Sequence, residues 1–75
     1  MNNFEHYFKR LPTGLTHVDV YWVLRLFRVN DPCIQHAIKK LLVPGKRGVK
    51  SEHKDVEEAI ASLQRFLQME KEDVF

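Results

Sequence analysis

An all-α fold is predicted by two features of the sequence. Apolar residues recur at three- and four-residue spacing in four segments, each preceded by a capping residue, and the first three are followed by a helix-stopping Pro, Gly or Asn. The chain reads as a compact bundle of three main helices plus a short N-terminal helix. It forms one domain over residues 1–75, with 1–15 as an arm and 16–75 as the helical core.

In the arm, Asn2 or Asn3 caps a short helix in which Phe4, Tyr7, Phe8 and Leu11 share one side, ending near Pro12-Thr13-Gly14. Thr16 then opens a Thr-x-x-Asp pattern with Asp19, an acidic variant of the capping box, and the helix it starts is predicted to run to about Val29. Asn30-Asp31-Pro32 marks the next boundary. Asp31 caps, Pro32 suits the first helical position because its missing N–H has no helical acceptor there, and this third helix is predicted to reach about Val43. Pro44-Gly45 stops it. Ser51 caps the last helix, predicted to reach about Glu70, with Glu52, Asp55, Glu57 and Glu58 near the positive end of its dipole.

The apolar stripes carry a prediction about assembly. The third helix places Ile34, Ile38, Leu41 and Leu42 on one side, and the fourth places Val56, Ile60, Leu63 and Leu67 on one side, flanked by Ala59 and Phe66. The second has Val20, Val23, Leu24 and Phe27 along one face and Val18, Trp22, Leu26 and Val29 along another. Two buried faces on one helix exceed what so small a unit can cover, so a homo-oligomer is expected; the alternative is that the aromatic arm folds over the second face. A chain of 75 residues buries only roughly 60% of its unfolded surface.

Composition narrows the class. A single cysteine, Cys33, excludes an intrachain disulfide, and no cationic leader followed by an apolar run opens the sequence, so a reducing cytosol is expected. The longest mostly apolar run, Val18 to Val29, is interrupted by Asp19, Arg25 and Arg28 and is shorter than the roughly 20 residues that span a bilayer. No membrane partner is expected.

The formal net charge is only +2, but it is unevenly spread. Lys39 to Lys54 holds six Lys or Arg and one acid, Glu52, whereas Asp55 to the end holds six acids against Arg65 and Lys71. The cationic corner contains Lys39, Lys46, Arg47 and Lys50, beside the N-terminal end of the last helix with its unpaired N–H groups, and Lys40, turned about 100° from Lys39, is expected to bind from a different face or subunit. Such a corner suits a phosphorylated small molecule; a long nucleic acid calls for a broader basic face. His36, three residues before Lys39, and His53, at the start of the last helix, complete the expected ligand-binding set. The ordinary alternatives are a solvated basic loop and surface histidines. Gly45-Lys46-Arg47-Gly48 lacks the spacing of a Walker loop, and Cys33 with His36 has no second pair at ligand spacing, so no metal or cofactor is expected. No nucleophile with its base and no carboxylate set for magnesium is evident, so catalysis is not expected.

The order Ala37-Ile38-Lys39, two apolar residues, Gly45-Lys46-Arg47-Gly48, then Asp55-Val56-x-x-Ala59-Ile60-x-x-Leu63 resembles a small phage protein family of unknown function. That module also occurs in the nucleotide kinase of T7-like phages, and the resemblance covers roughly residues 18–67. In it Lys39 matches the helix lysine, Gly45 to Gly48 the basic turn and Asp55 the acid opening the last helix. His36 stands for an asparagine, Lys40 and Ser62 for aromatics and Val43 for an arginine; the family's His-Pro-x-His-Tyr opening is missing. The resemblance implies a phage-encoded protein that handles nucleotides. With catalytic groups lacking, the expected role is a sponge: a homo-oligomer that sequesters a nucleotide signal of host antiviral defence in pockets between chains. The alternatives are a nucleotide kinase-like enzyme, an inhibitor of a host protein and, with least support, a DNA-binding protein.

Overall fold

The computed structural model describes residues 5–45 and 51–73. It contains one 3-10 turn, Glu5–Tyr7, and three α-helices: α1, Val20–Leu26; α2, Pro32–Leu42; and α3, Glu52–Glu72. No strand occurs among the described residues.

Local chemistry fixes each boundary. Among the described residues of the arm, the predicted helix is a single turn closed by the Phe8 N–H donating to the Glu5 carbonyl at 3.0 Å. Tyr7, Phe8 and Leu11 remain 62%, 70% and 42% exposed, so little apolar burial offsets the entropy of ordering so short a helix. The proposed caps Asn2 and Asn3, and Phe4, lie outside the described residues. The second predicted helix is shorter than expected at both ends. Asp19 is the cap, accepting from the Trp22 N–H at 2.9 Å, while the Thr16 hydroxyl pairs with His17 Nδ1 at 2.7 Å. Aspartate is the stronger N-cap of the two.

α1 stops at Leu26 because the chain turns left-handed at Arg28, φ 55°. The Val29 N–H reaches back to the Leu24 carbonyl at 2.9 Å and the Arg28 N–H to that of Arg25 at 3.1 Å, the pairing of a Schellman motif. α2 begins as predicted. One Asp31 carboxylate oxygen accepts from the N–H groups of Cys33 (2.8 Å) and Ile34 (3.1 Å), with Pro32 next to the cap. Gln35 Nε2 donates to the Val29 carbonyl at 2.7 Å and pins the α1–α2 turn. At the other end, Gly45 has φ 71°, and a Cβ there would lie 3.1 Å from the Glu52 nitrogen. Both the backbone angle and the close approach require glycine. Ser51 caps α3 through the Lys54 N–H at 3.1 Å, as expected.

α2 and α3 run antiparallel, tied at both levels of their contact. Near the connection, Lys40 Nζ lies 2.5 Å from Glu58 Oε1 and 3.5 Å from Asp55 Oδ1, and the other Asp55 oxygen accepts the Gly45 N–H at 2.7 Å. One turn further, His36 Nδ1 lies 2.6 Å from the Ser62 hydroxyl. Ala37 and Ala59, each 2% exposed, let the two backbones approach closely.

This contact departs from the predicted stripes. The inward line of α3 is Asp55, Ala59, Ser62, Phe66 and Met69, whereas Val56, Ile60, Leu63 and Leu67 are 38%, 49%, 41% and 57% exposed. α3 is therefore rotated by one residue, about 100°, from its apolar orientation, because Asp55 must face Lys40. Leu41 and Leu42 are likewise 51% and 52% exposed while Ala37 and Lys40 are buried.

The helices do not close into a compact bundle. α1 packs on α2 alone, with no Cα of α1 within 8 Å of α3. The radius of gyration is 15.2 Å, whereas a compact chain of this length has about 11 Å.

The Lys40–Asp55–Glu58 cluster is predicted to govern stability. Asp55→Ala removes the acceptor of the Gly45 N–H and leaves Lys40 buried with one carboxylate, a loss of about 3–5 kcal/mol, against about 4–11 kcal/mol expected in total for a domain of this length. Urea unfolding followed by circular dichroism measures it. An effect below about 1 kcal/mol, the scale of an exposed ion pair, contradicts the assignment.

Candidate anion site between α1 and α2

The residues predicted to bind an anion are distributed by these contacts. Lys39 and His36, three apart on α2, engage different helices: Lys39 Nζ lies 5.2 Å from the centre of the Tyr21 ring on α1, and His36 faces Ser62 on α3. Lys40, at 5% exposure, points into the α2–α3 contact with its charge matched by two carboxylates. That direction removes Lys40 from any surface site. His53 is open to solvent on the first turn of α3, its Nε2 3.6 Å from Glu57 one helical turn on. Lys46, Arg47 and Lys50 lie outside the described residues.

A different set of cations does converge. The turn between α1 and α2 encloses a cleft of about 370 Å³, with Tyr21, Arg25 and Arg28 from α1 and its end, Asn30 from the turn, and Gln35 and Lys39 from α2. Leu24, 6% exposed, and Val29 form its apolar floor. Three cations, two amides and an aromatic ring line it without a carboxylate. A larger hollow of about 520 Å³ lies beside Asp31, Phe66, Met69, Glu70, Glu72 and Asp73, and its four acids repel the same guest.

Each cleft residue is placed by a local rule. Antiparallel packing of α1 on α2 sets Tyr21 opposite Lys39, and the cation over the ring fixes both side chains. Arg25 has its guanidinium carbon 5.6 Å from the centre of the Trp22 ring, and it lines both this cleft and a neighbouring hollow shared with Asp19, Tyr21 and Trp22. Arg28 occupies the left-handed position of the Schellman motif, where glycine is favoured and a side chain costs about 1 kcal/mol or more. Strain held at a residue that supplies a guanidinium to a cleft is a feature of functional sites. Arginine forks and a lysine ammonium neutralise phosphate oxygens, and the tyrosine face accepts a base or another flat ring.

Of the cleft residues, Lys39 belonged to the predicted set. Arg25 and Arg28 were missed, having been read as interruptions of an apolar run. Their three-residue spacing was the available signal. Among the described residues, no group of three His, Cys, Asp or Glu is placed to hold a metal ion, and no helix is long and apolar enough to cross a membrane. No family model matches the chain, and no curated protein or solved structure matches it either.

Arg28→Gly separates stability from binding. Relief of the left-handed strain is predicted to raise stability by about 0.5–1 kcal/mol while weakening capture of a phosphorylated ligand. Urea midpoints and calorimetric titration on the same preparation check both signs. A stability loss, or unchanged binding, contradicts this account of Arg28.

Proposed function

We propose that this protein is a non-catalytic nucleotide binder, phage-encoded and acting in the host cytosol as a homo-oligomer, that sequesters a nucleotide signal of host antiviral defence. The α1–α2 cleft carries the reading: Arg25, Arg28 and Lys39 line a small volume beside Tyr21, and no acid is among its lining residues. Phosphates sit against the cations, the base replaces Lys39 over the Tyr21 ring, and Asn30 and Gln35 offer amides to base or ribose edges. The resemblance of Ala37 to Leu63 to a phage family that includes a nucleotide kinase supports the same ligand class. Binding within one chain differs from the pockets between chains that the sequence suggested.

Sequestration fits the cleft better than turnover. Phosphoryl transfer requires two bound nucleotides, a metal and exclusion of water, and a cleft of about 370 Å³ lined by cations and amides holds one small guest. A nucleotide kinase-like activity is the runner-up for that reason. Inhibition of a host protein through exposed apolar residues is the third reading.

Isothermal titration with cyclic and linear nucleotides tests the proposal. A member of the panel is expected to bind with a Kd tighter than about 100 µM, weakening as salt rises, and Arg25→Ala is expected to cost about tenfold. Nucleoside monophosphate mixed with triphosphate is expected to stay unconverted. Absence of binding overturns the proposal, and measured transfer replaces it with the kinase.

A further inference from the structure

The apolar residues displaced from the α2–α3 contact lie together. Each residue of an α-helix is turned about 100° from the last, and two right-handed helices packed antiparallel carry the residues one step beyond their contact line to the same flank. Ile34, Ile38 and Leu41 stand one step beyond Cys33, Ala37 and Lys40 on α2. Val56, Ile60, Leu63 and Leu67 stand one step beyond Asp55, Ala59, Ser62 and Phe66 on α3. The same rule applied to α1, also antiparallel to α2, turns Val20, Val23 and Phe27 to that flank and leaves Tyr21, Arg25 and Arg28 on the other.

The result is a trough with α2 as its floor and α1 and α3 as its walls, open because those walls do not meet. Phe27, Leu41, Val56, Ile60, Leu63 and Leu67 are each between 38% and 57% exposed along it. The arm reaches one edge, where Lys9 Nζ lies 5.5 Å from the Phe27 ring, but Phe8 and Leu11 stay exposed, so the arm does not fill it.

We infer that the occupant is a second copy of this chain, docked trough to trough about a two-fold axis with the two α3 helices antiparallel. This names the face used by the homo-oligomer proposed above and rests on that part of the reading. Surface area supports it. The whole chain, exposed arm included, presents 6481 Å², about 1,700 Å² more than the roughly 4,800 Å² of a compact monomer of its mass, an excess larger than the about 800 Å² that a stable interface takes from each partner. The pattern of α3 supports it as well, since Val56, Ile60, Leu63 and Leu67 alternate at four- and three-residue steps, the spacing that packs helices side by side.

Charge sets the direction. The solvent side of this stripe carries Glu57 near the start of α3 and Lys71 near its end. Antiparallel pairing brings the Glu57 end of one α3 beside the Lys71 end of the other, whereas parallel pairing sets like on like. The cationic cleft lies across α1 from the trough and stays open in the dimer, giving two independent ligand sites.

Sedimentation of the full chain at about 100 µM decides the matter, since dimer formation depends on concentration. The expected mass is twice 8.9 kDa. Ile60→Glu with Leu63→Glu is expected to give a monomer of unchanged helical signal. Glu57→Lys and Lys71→Glu are each expected to weaken the dimer several-fold, and their combination to restore it. A monomeric wild type, or a dimer indifferent to Ile60→Glu with Leu63→Glu, overturns the inference; single swaps without effect overturn its antiparallel form. Nucleotide titration of the monomeric variant separates the two proposals, because the cleft is expected to bind as in the wild type.

Discussion

One lysine organises this structure. Lys40 carries its charge into the contact between α2 and α3, where Asp55 and Glu58 receive it. Leaving any of the three unmatched is costly, so α3 is held in the single rotation that presents Asp55 inward. Asp55 also takes the Gly45 N–H, which locks the end of α2 to the first turn of α3. Electrostatic matching here overrides the apolar pattern: greasy side chains that would have filled the seam are turned aside, and two alanines take their place.

That rotation shapes one flank of α2. There it lines up the displaced aliphatic residues of α3, Val56, Ile60, Leu63 and Leu67, which stay 38% to 57% exposed. On the other, Lys39 faces α1, where Tyr21 and the left-handed Arg28 build a cleft of one charge sign. The exposed apolar stripe and the cationic cleft thus occupy opposite faces. Lys40 sets the rotation behind the trough, and the α1–α2 turn, pinned by Gln35, sets the cleft.

Helix existence and most caps were legible in the sequence because they depend on adjacent residues. Asp31 with Pro32, Ser51 and the Gly45 stop act within a turn of themselves, and each behaves as read. What was not legible depends on distant pairs. Nothing local to Lys40 reveals that it meets Asp55 and Glu58, so it reads as a surface cation and α3 as a helix with Val56 and Ile60 inward. The arm illustrates a second limit, since apolar spacing around Tyr7 and Phe8 makes a helix only when a surface receives it. The site was half visible: Lys39 came from its cationic neighbourhood, but Arg25 and Arg28 join it only because Phe27 to Asp31 reverses the chain.

The central claim is that the two flanks do different work: a cationic cleft for a nucleotide and an apolar trough for a second copy. Side-chain NMR on one sample, titrated with a nucleoside triphosphate and then diluted, tests it most directly. The account predicts that ligand shifts the signals of Tyr21, Arg25, Arg28 and Lys39, and that dilution shifts the methyls of Ile60, Leu63 and Leu67. Ligand-induced shifts confined to the trough methyls, with the cleft unmoved, would contradict it.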